Sequence, residues 1–327
     1  MRPAFATLTA ALSLAFRASL LGLFVALAPL AASAQSLIDS AAVAEVLRKP
    51  DGVIAHIEGE YNDIFLTKER QILTMAFRRM RSTYVESSSN LSDLEDLPIP
   101  YTQLMTIGLL YPNEVKRIVM VGLGAGSTTT YLAHYLRDTA VDTVELDPAV
   151  ISAAKKYFGL VTNERVRLIA NDGRVFLLRN KEPYDLIMLD AFRGGYQPFH
   201  LLTREFYTLV KERLTPTGAA VLNLHAGTQL YVSTIKTLRA VFPRLDLYTF
   251  GDGNVIAVAS AGNAPDDRAL MQRAIALQAK HSFRYSLVKL LNSRTDEALD
   301  DKAPLLTDDF APVQVLDAIQ HKNKRRW

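Results

Sequence analysis

The stretch RIVMVGLGAGS, residues 117–127, decides the fold of this chain. It begins as an apolar run typical of a buried strand and ends with glycines at 122, 124 and 126, before a segment of helical character at 128–138. Glycine lets the backbone turn sharply and approach a ligand closely, and the first turn of the next helix offers free N–H groups. The stretch therefore predicts a strand, a glycine loop and a helix in that order.

The same alternation of strand and helix continues on the C-terminal side of this stretch. Further strands are predicted within 141–147, 165–173, 184–190, 219–225, 245–251 and 254–260, and helices within 148–159, 174–180, 202–214 and 232–242. Such alternation indicates a parallel sheet covered by helices on both faces, and the short turn between the last two strands makes them an antiparallel pair. We predict an α/β, Rossmann-like, doubly wound fold with a mainly parallel seven-stranded sheet.

The segment on the N-terminal side has a different pattern. Short runs within 52–77 alternate apolar and polar residues around the charged turn LTKER, which predicts a small antiparallel β unit. A serine-rich loop is predicted at 86–96 and a helix at 101–111. We therefore divide the mature chain into an N-terminal β-hairpin domain with its loop at 35–100, a Rossmann-like domain at 101–262, and a helical C-terminal extension with a basic tail at 263–327.

Residues 1–34 have the pattern of a bacterial secretory signal peptide. Arg2 and Arg17 precede an uncharged stretch whose apolar part is short for a bilayer span of about 20 residues. The stretch ends in Ala32-Ser33-Ala34, a small-x-small cleavage pattern. The alternative is an uncleaved anchor, and in both cases the positive-inside rule sends the body of the chain outward. The sequence thus predicts an exported, periplasmic protein, attached to a membrane only if the signal peptide is not cleaved.

The composition excludes several classes of site. The chain has no cysteine, which excludes disulfides, thiolate metal sites and thiol nucleophiles. Its formal net charge is only +3, so no nucleic-acid surface is expected. Asp308 and Asp309 are adjacent acids, but no third ligand accompanies them, which favours a turn or cap over a metal site. The expected partner is a small molecule, and no metal is expected.

Polar residues follow successive predicted strands, at the sheet edge where doubly wound folds bind ligands. Glu145 lies 23 residues after Gly122, the separation at which a carboxylate can accept hydrogen bonds from ribose hydroxyls. Asp172 can either accept a bond from an adenine amino group or cap the next helix. Asp190 ends the following strand, near the place where the reactive arm of an adenosyl ligand would point. With the glycine loop, these positions predict an adenosyl site in which Asp190 is the catalytic residue.

The chain resembles the spermidine synthase (polyamine aminopropyltransferase) superfamily, including its bacterial spermidine synthase-like members. The resemblance covers about residues 53–260 and is carried by EGEYNDIFLTKERQILTMAF, GLGAGS, VELDP, NDG, YDLIMLD and LTREFYTLVKERLTPTGAAVLNLH. Ordinary S-adenosylmethionine methyltransferases share the glycine loop but usually lack the N-terminal β unit. The resemblance implies transfer of an aminopropyl group from decarboxylated S-adenosylmethionine to an amine such as putrescine, with release of 5′-methylthioadenosine.

The resemblance also implies a set of cofactor-binding residues in an S-adenosyl-binding catalytic domain at 101–262. These residues are Asn62, Gly122, Gly124, Gly126, Glu145, Asp172 and Gly173. The glycines would shape the pocket, Glu145 would hold the ribose, and Asp172 would hold the adenine. Asn62 matches a family glutamine that contacts the cofactor.

Two further residues match the amine end of the family's site, and two positions depart from it. Tyr101 matches a tyrosine that lines the amine site, and Asp190 would orient the attacking amine and take its proton. Ala125 replaces an acid of the family glycine loop, and Arg193 replaces a second acid that follows the catalytic one. With Arg193 in the substrate site, we expect a pocket less suited to an amine carrying two or more positive charges.

Two alternative functions remain open on the sequence alone. Ala125 favours a methyltransferase that uses intact S-adenosylmethionine, because an acid at that position would repel the methionine carboxylate. An exported, non-catalytic protein that binds a nucleoside or a polyamine is the other alternative. The resemblance is compatible with a homodimer, and His200 is expected to be ordinary polar surface.

Overall fold

Two β-sheets form the framework of the protein. The computed structural model describes residues 37–79, 82–93, 95–192, 196–262, 264–296 and 302–309. The predicted signal peptide, Arg193 and the basic tail lie outside these residues. Among the helices in the described ranges, none is both long and apolar enough to cross a membrane.

The N-terminal sheet is an antiparallel meander, which confirms the predicted β unit. Its strands, in spatial order, are β1 (Gly52–Glu58), β2 (Asp63–Glu69), β3 (Ile72–Arg79) and β4 (Ser82–Asn90). The prediction of a loop at 86–96 is wrong for residues 86–90, which belong to β4, with 87–90 paired to β3. Serines replace the usual apolar side chains there, and the Ser88 hydroxyl forms a hydrogen bond with that of Thr74 (3.0 Å).

The second sheet carries the strand-and-helix part of the chain. Its strands are β5 (Arg117–Val121), β6 (Ala140–Glu145), β7 (Val166–Ala170), β8 (Tyr184–Leu189), β9 (Leu214–His225), β10 (Arg244–Tyr248), β11 (Asn254–Ser260) and β12 (Arg294–Thr295). They lie in the order β12-β10-β11-β9-β8-β5-β6-β7, with β5 to β9 parallel and the remainder antiparallel. All seven predicted strands are confirmed. The structure adds β12, whose two residues are too few to produce a sequence pattern.

Helices cover both faces of this sheet. They are α1 (Ser40–Arg48), α2 (Pro100–Met105), α3 (Ser127–Tyr135), α4 (Pro148–Phe158), α5 (Gly173–Arg179), α6 (Arg204–Glu212), α7 (Tyr231–Val241), α8 (Asp267–His281) and α9 (Leu287–Leu291). The helix predicted at 101–111 is α2 followed by a 3-10 segment, Thr106–Leu110. Helix α1, capped by Asp39, was not predicted from the sequence pattern.

Three apolar clusters hold these layers together. One face of the second sheet packs on α2, α3, α8 and α9, and the other on α5, α6 and α7. The third cluster joins Leu66 and Met75 of the N-terminal sheet to Leu123 of the glycine loop and Phe158 of α4. Ala125 is 3% exposed and belongs to this third cluster. The N-terminal sheet is therefore packed directly against the glycine loop.

Candidate active site

A cleft opens at the carboxyl ends of β5, β6, β7 and β8. Strands β6 and β7 lie on one side of β5, and β8 and β9 lie on the other, so the order of the chain reverses between β5 and β8. Doubly wound sheets bind ligands at such a reversal. The first residues after the two strands, Gly122 and Asp190, both line the cleft. The Asp190 backbone N–H donates to the Val121 carbonyl at 2.9 Å, which fixes the two strand ends together.

The glycine loop follows β5 as predicted, but its three glycines differ in what they do. Gly122 has φ of +102°, and a Cβ at this position would lie 2.3 Å from the carbonyl oxygen of Asp190. Gly124 lines the cleft at a φ of +54° and passes close to Ser87 of β4. Gly126, at a φ of +79°, precedes α3 and packs toward Leu160; it is not among the described residues that line the cleft. Gly126 therefore shapes the loop without forming the cleft wall.

Glu145 lies at the end of β6, beside the glycine loop. One carboxylate oxygen accepts the Leu123 N–H (3.0 Å), and the other accepts the Asp147 N–H (3.0 Å). Burial raises the pKa of Glu145, and these backbone donors act in the opposite direction. Each carboxylate oxygen can accept more than one hydrogen bond, so the side chain can brace the loop and still accept bonds from a ligand in the cleft.

Asp172 follows β7 and both caps a helix and faces the cleft. One oxygen accepts the Val175 N–H at 2.9 Å as the N-cap of α5, and the other contacts His200 Nε2 at 2.9 Å. The hydrogen bond with His200 is the largest influence lowering the pKa of Asp172. Gly173 also lines the cleft, and a Cβ there would lie 2.3 Å from Val121 Cγ1, so glycine permits the close approach of α5 to β5. His200 is exposed, as expected of a surface residue, and it also borders the cleft.

Asn62 brings the N-terminal sheet to the same cleft. It lies in the turn between β1 and β2, and its Nδ2 donates to Asp147 Oδ2 at 3.0 Å. Asp147 is fully buried, and its other oxygen accepts the Ala149 N–H (2.9 Å) at the start of α4. Asn62 is thereby held at the cleft by the residue that caps α4.

Asp190 has an environment suited to a general base. One oxygen accepts a hydrogen bond from Asn223 Nδ2 (2.8 Å), and the other from the Tyr101 hydroxyl (3.3 Å). Asn223 is 2% exposed, and its Oδ1 accepts from Asn254 Nδ2 (2.9 Å), which fixes the orientation of its amide. Burial raises the pKa of Asp190 to about 7, and the bonds from Asn223 and Tyr101 oppose this rise. A base with a pKa near neutrality can accept a proton efficiently at physiological pH.

The cleft is acidic. Four carboxylates line it, those of Glu86, Glu145, Asp172 and Asp190. Among the described residues that line the cleft there is no lysine or arginine, and His200 is the only basic side chain. The described residues contain no cluster of three or more histidine or acidic side chains suited to a metal ion. A ligand that carries positive charge would be stabilised here.

Two residues of the site escaped the sequence analysis for different reasons. Asn223 lies within the buried run of β9, and its polar side chain between apolar neighbours was a usable signal. Glu86 lay within the segment interpreted as a loop, so nothing in the sequence pattern indicated where its side chain lies. Arg193, predicted to line the substrate site, lies outside the described residues.

Comparison with known proteins places these features in context. Residues 100–250 match the spermine/spermidine synthase domain family. A polyamine aminopropyltransferase from Vibrio vulnificus is 33% identical over 267 residues, which cover 78% of this chain and 88% of that protein. That alignment is longer than residues 101–262, so it necessarily includes neighbouring parts of the chain.

Solved structures share the same fold. A spermidine synthase in complex with the transition state analogue AdoDATO is 17% identical, with a TM-score of 0.59 over 75% of this chain and 85% of that one. Human methyltransferase-like protein 13, in complex with SAH, is 25% identical, with a TM-score of 0.52 over 62% of this chain and 96% of that one. The methyltransferase match covers the smaller part of this chain.

Proposed function

The chain belongs to the spermidine synthase superfamily, and on that premise we propose that it transfers an aminopropyl group from decarboxylated S-adenosylmethionine to a putrescine-like amine. The amine nitrogen attacks the propyl carbon bound to the sulfonium, a C–N bond forms, and the C–S bond breaks. The electron pair of the C–S bond stays on sulfur, and 5′-methylthioadenosine leaves. The surplus proton of the attacking amine passes to the Asp190 carboxylate.

The environment of Asp190 is the observation that carries this proposal. The carboxylate stands at the reversal of strand order with a pKa of about 7 and is oriented by Tyr101 and Asn223. A nucleophilic amine must lose a proton to become or remain reactive, and a positioned carboxylate within hydrogen-bond reach can accept it. Tyr101, on the opposite oxygen of Asp190, lines the place where the amine would approach.

The donor would occupy the remainder of the cleft. Glu145 would accept hydrogen bonds from the ribose hydroxyls, and Asp172 would accept one from the adenine amino group. Asn62 would contact the donor from the side of the N-terminal sheet. Gly122, Gly124 and Gly173 permit close backbone approach, whereas Gly126 acts only through the shape of the loop.

Two observations weigh against methyl transfer. The four carboxylates of the cleft favour a cationic donor and oppose the carboxylate of intact S-adenosylmethionine. Ala125, which favoured the alternative, is 3% exposed among apolar side chains and does not line the cleft in the described structure. Its lack of charge therefore carries no information about the arm of the donor.

Calorimetric titration and a turnover assay test the proposal together. The chain from Gln35 onward is titrated with decarboxylated S-adenosylmethionine, the intact form and 5′-methylthioadenosine, and release of 5′-methylthioadenosine is followed with putrescine. We expect tighter binding of the decarboxylated form and amine-dependent release. Preference for the intact form would support methyl transfer, and binding without turnover of any amine would support the non-catalytic alternative.

We also propose that the chain is exported and that residues 1–34 direct this export. The support is the charge and cleavage pattern of that segment. Fractionation of cells expressing the full chain, with N-terminal sequencing of the product, tests it; a cytoplasmic protein that begins at Met1 would contradict it. The homodimer stays a prediction, and light scattering of the purified chain measures it.

A further inference from the structure

Glu86 interrupts the regular pairing of β4 with β3. Met75 pairs with Ser87 and Ala76 pairs with Val85, so Glu86 is an extra residue on β4, a β-bulge. Bulges re-aim side chains and are common beside active sites. Val85 is 63% exposed, whereas Glu86 lines the cleft.

The bulge lies against the glycine loop. A Cβ at Gly124 would be 2.7 Å from the Cβ of Ser87, the residue that follows Glu86. The next carbonyl, that of Ser88, accepts a hydrogen bond from Ser127 Oγ at 2.8 Å. The segment 86–88 is thus fixed to the loop and to the first residue of α3. Glu86 enters the cleft at the level of the glycine loop.

Glu86 is also near the reacting end of the cleft. The pKa of Tyr101 is raised well above its usual range, first by burial, then by Asp190, and in part by the negative charge of Glu86. Glu86, Tyr101 and Asp190 all line the same cleft, which places the Glu86 carboxylate in the cavity that holds the reacting groups as well as beside the loop. This is the region through which the arm of an adenosyl donor would pass on its way to the acceptor.

The proposed function assigns the other cleft carboxylates to other groups of the two substrates: Glu145 to the ribose, Asp172 to the adenine and Asp190 to the amine. Glu145 accepts two backbone N–H groups, Asp172 caps α5 and contacts His200, and Asp190 accepts bonds from Tyr101 and Asn223. The glycine loop itself carries no charged side chain.

We infer that Glu86 selects the donor: its carboxylate attracts the terminal ammonium of the decarboxylated arm and repels the additional carboxylate of intact S-adenosylmethionine. The inference rests on the proposed function, because both donors are taken to bind in the same cleft. It assigns Glu86 to donor specificity, and Asp190 keeps the chemical step.

Three ligands and three variants test this inference. Dissociation constants for the decarboxylated donor, the intact donor and 5′-methylthioadenosine are measured by calorimetry for the wild type, Glu86→Gln and Glu69→Gln. Glu69 is an exposed acid of the same sheet, so its variant removes the same charge outside the cleft. We expect Glu86→Gln to reduce the preference for the decarboxylated donor by about tenfold, the effect of losing one charged interaction. Binding of 5′-methylthioadenosine, which has no charged arm, and all constants of Glu69→Gln should stay unchanged.

A third variant separates charge from shape. Glu86→Asp keeps the charge, so it should retain most of the donor preference. Equal loss of preference in Glu86→Asp and Glu86→Gln would mean that side-chain shape decides, and it would overturn the inference. If Glu86→Gln misfolds and so loses 5′-methylthioadenosine binding, the wild type is compared with Glu86→Asp instead. Loss of the preference for the decarboxylated donor in Glu86→Asp, despite its retained charge, overturns the inference. A retained preference supports it.

The remaining outcomes distinguish this inference from the proposed function. An unchanged preference in Glu86→Gln, with a wild type that favours the decarboxylated donor, would overturn the role of Glu86 and leave aminopropyl transfer standing. If Glu86→Gln changes only the KM of the amine in the turnover assay, Glu86 acts on the acceptor, and its role in donor selection would be overturned. If the wild type binds 5′-methylthioadenosine but does not prefer the decarboxylated donor, both the role of Glu86 and the proposed aminopropyl transfer would be overturned.

Discussion

At the scale of single residues, Asp190 combines opposing influences on its pKa. Burial raises the pKa, and the hydrogen bonds from Asn223 and Tyr101 lower it, with a result of about 7. Without burial the carboxylate would be a weak base, and without the bonds it would stay protonated at neutral pH. The two hydrogen bonds also fix the direction of the carboxylate.

Asp190→Asn should abolish proton transfer while leaving the shape of the cleft intact. We expect turnover to fall by about 10²- to 10⁴-fold, the usual contribution of a general base. Calorimetric binding of 5′-methylthioadenosine should change little, because Asp190 is assigned to the amine. Turnover equal to that of the wild type would remove Asp190 from the mechanism.

Asn223→Ala should move the acidic limb of the pH–rate profile to higher pH. The Asn223 hydrogen bond lowers the pKa of Asp190, so its loss leaves Asp190 protonated up to a higher pH. In the wild type, kcat/KM should fall as the pH drops below about 7. Asn254→Ala is the matched control, because Asn254 contacts Asp190 only through Asn223 and should cause a smaller shift. A limb that moves to lower pH would contradict this assignment.

The sequence predicted the strand-end residues of the site and Tyr101, and missed Asn223, which orients Asp190, and Glu86. Glu145, Asp172 and Asp190 could be placed because each lies at or just beyond the end of a predicted parallel strand. Glu86 could not be placed, because the face of a sheet to which a residue points is inferred from the two-residue alternation along a strand, and a bulge interrupts that alternation. The distance between Asn223 and Asp190 depends on strand order, which local pattern does not contain.

At the scale of elements, the connection from β5 to α3 depends on backbone conformations that residues other than glycine rarely adopt. Gly122 combines a positive φ with contact to the backbone of Asp190, and Gly251 has a positive φ of +81° with open space around it. Substitution of Gly251 therefore measures the loss of stability caused by a positive φ alone, whereas substitution of Gly122 adds the loss caused by a steric clash.

Gly122→Ala should destabilise the protein far more than Gly251→Ala. The second change should cost about 1 kcal/mol through its positive φ alone. The first adds a contact of 2.3 Å with the Asp190 carbonyl, which must move and distort the cleft. Denaturant unfolding and 5′-methylthioadenosine titration of both variants measure the effects; equal stability of the two would show that the loop relaxes without cost.

Most elements followed from their sequence patterns. The parallel strands were predictable because burial on both faces makes them continuously apolar. The end of β4 was not, because its serines mimic a loop, and α1 had no neighbouring pattern to place it. The pairing of β12 with β10 joins residues far apart in the chain, so no local signal could reveal it.

At the scale of the whole molecule, the described residues belong to one compact unit, Ser36–Trp327. The N-terminal sheet and the second sheet share the third apolar cluster, and the hydrogen bond from Asn62 to Asp147 joins them at the cleft. Neither sheet can bury its apolar surface on that side without the other.

Thermal unfolding should therefore occur in a single transition that includes both sheets. Far-UV circular dichroism and hydrogen exchange of β2 and β6 should report the same midpoint, and 5′-methylthioadenosine should raise it for both, since binding stabilises the folded state. Separate midpoints, with the N-terminal sheet lost first, would show that the shared cluster does not couple them.

The bulge in β4 has a consequence for how such proteins diversify. The floor of the cleft is built from the ends of buried strands, where substitutions would reduce the stability of the fold. The bulge belongs to the other sheet and places one side chain in the cleft. Mutation at that single position can explore new ligands while the architecture is conserved. If Glu86 selects the donor, substitution of this one residue of β4 would yield enzymes that use different donors while the fold stays the same.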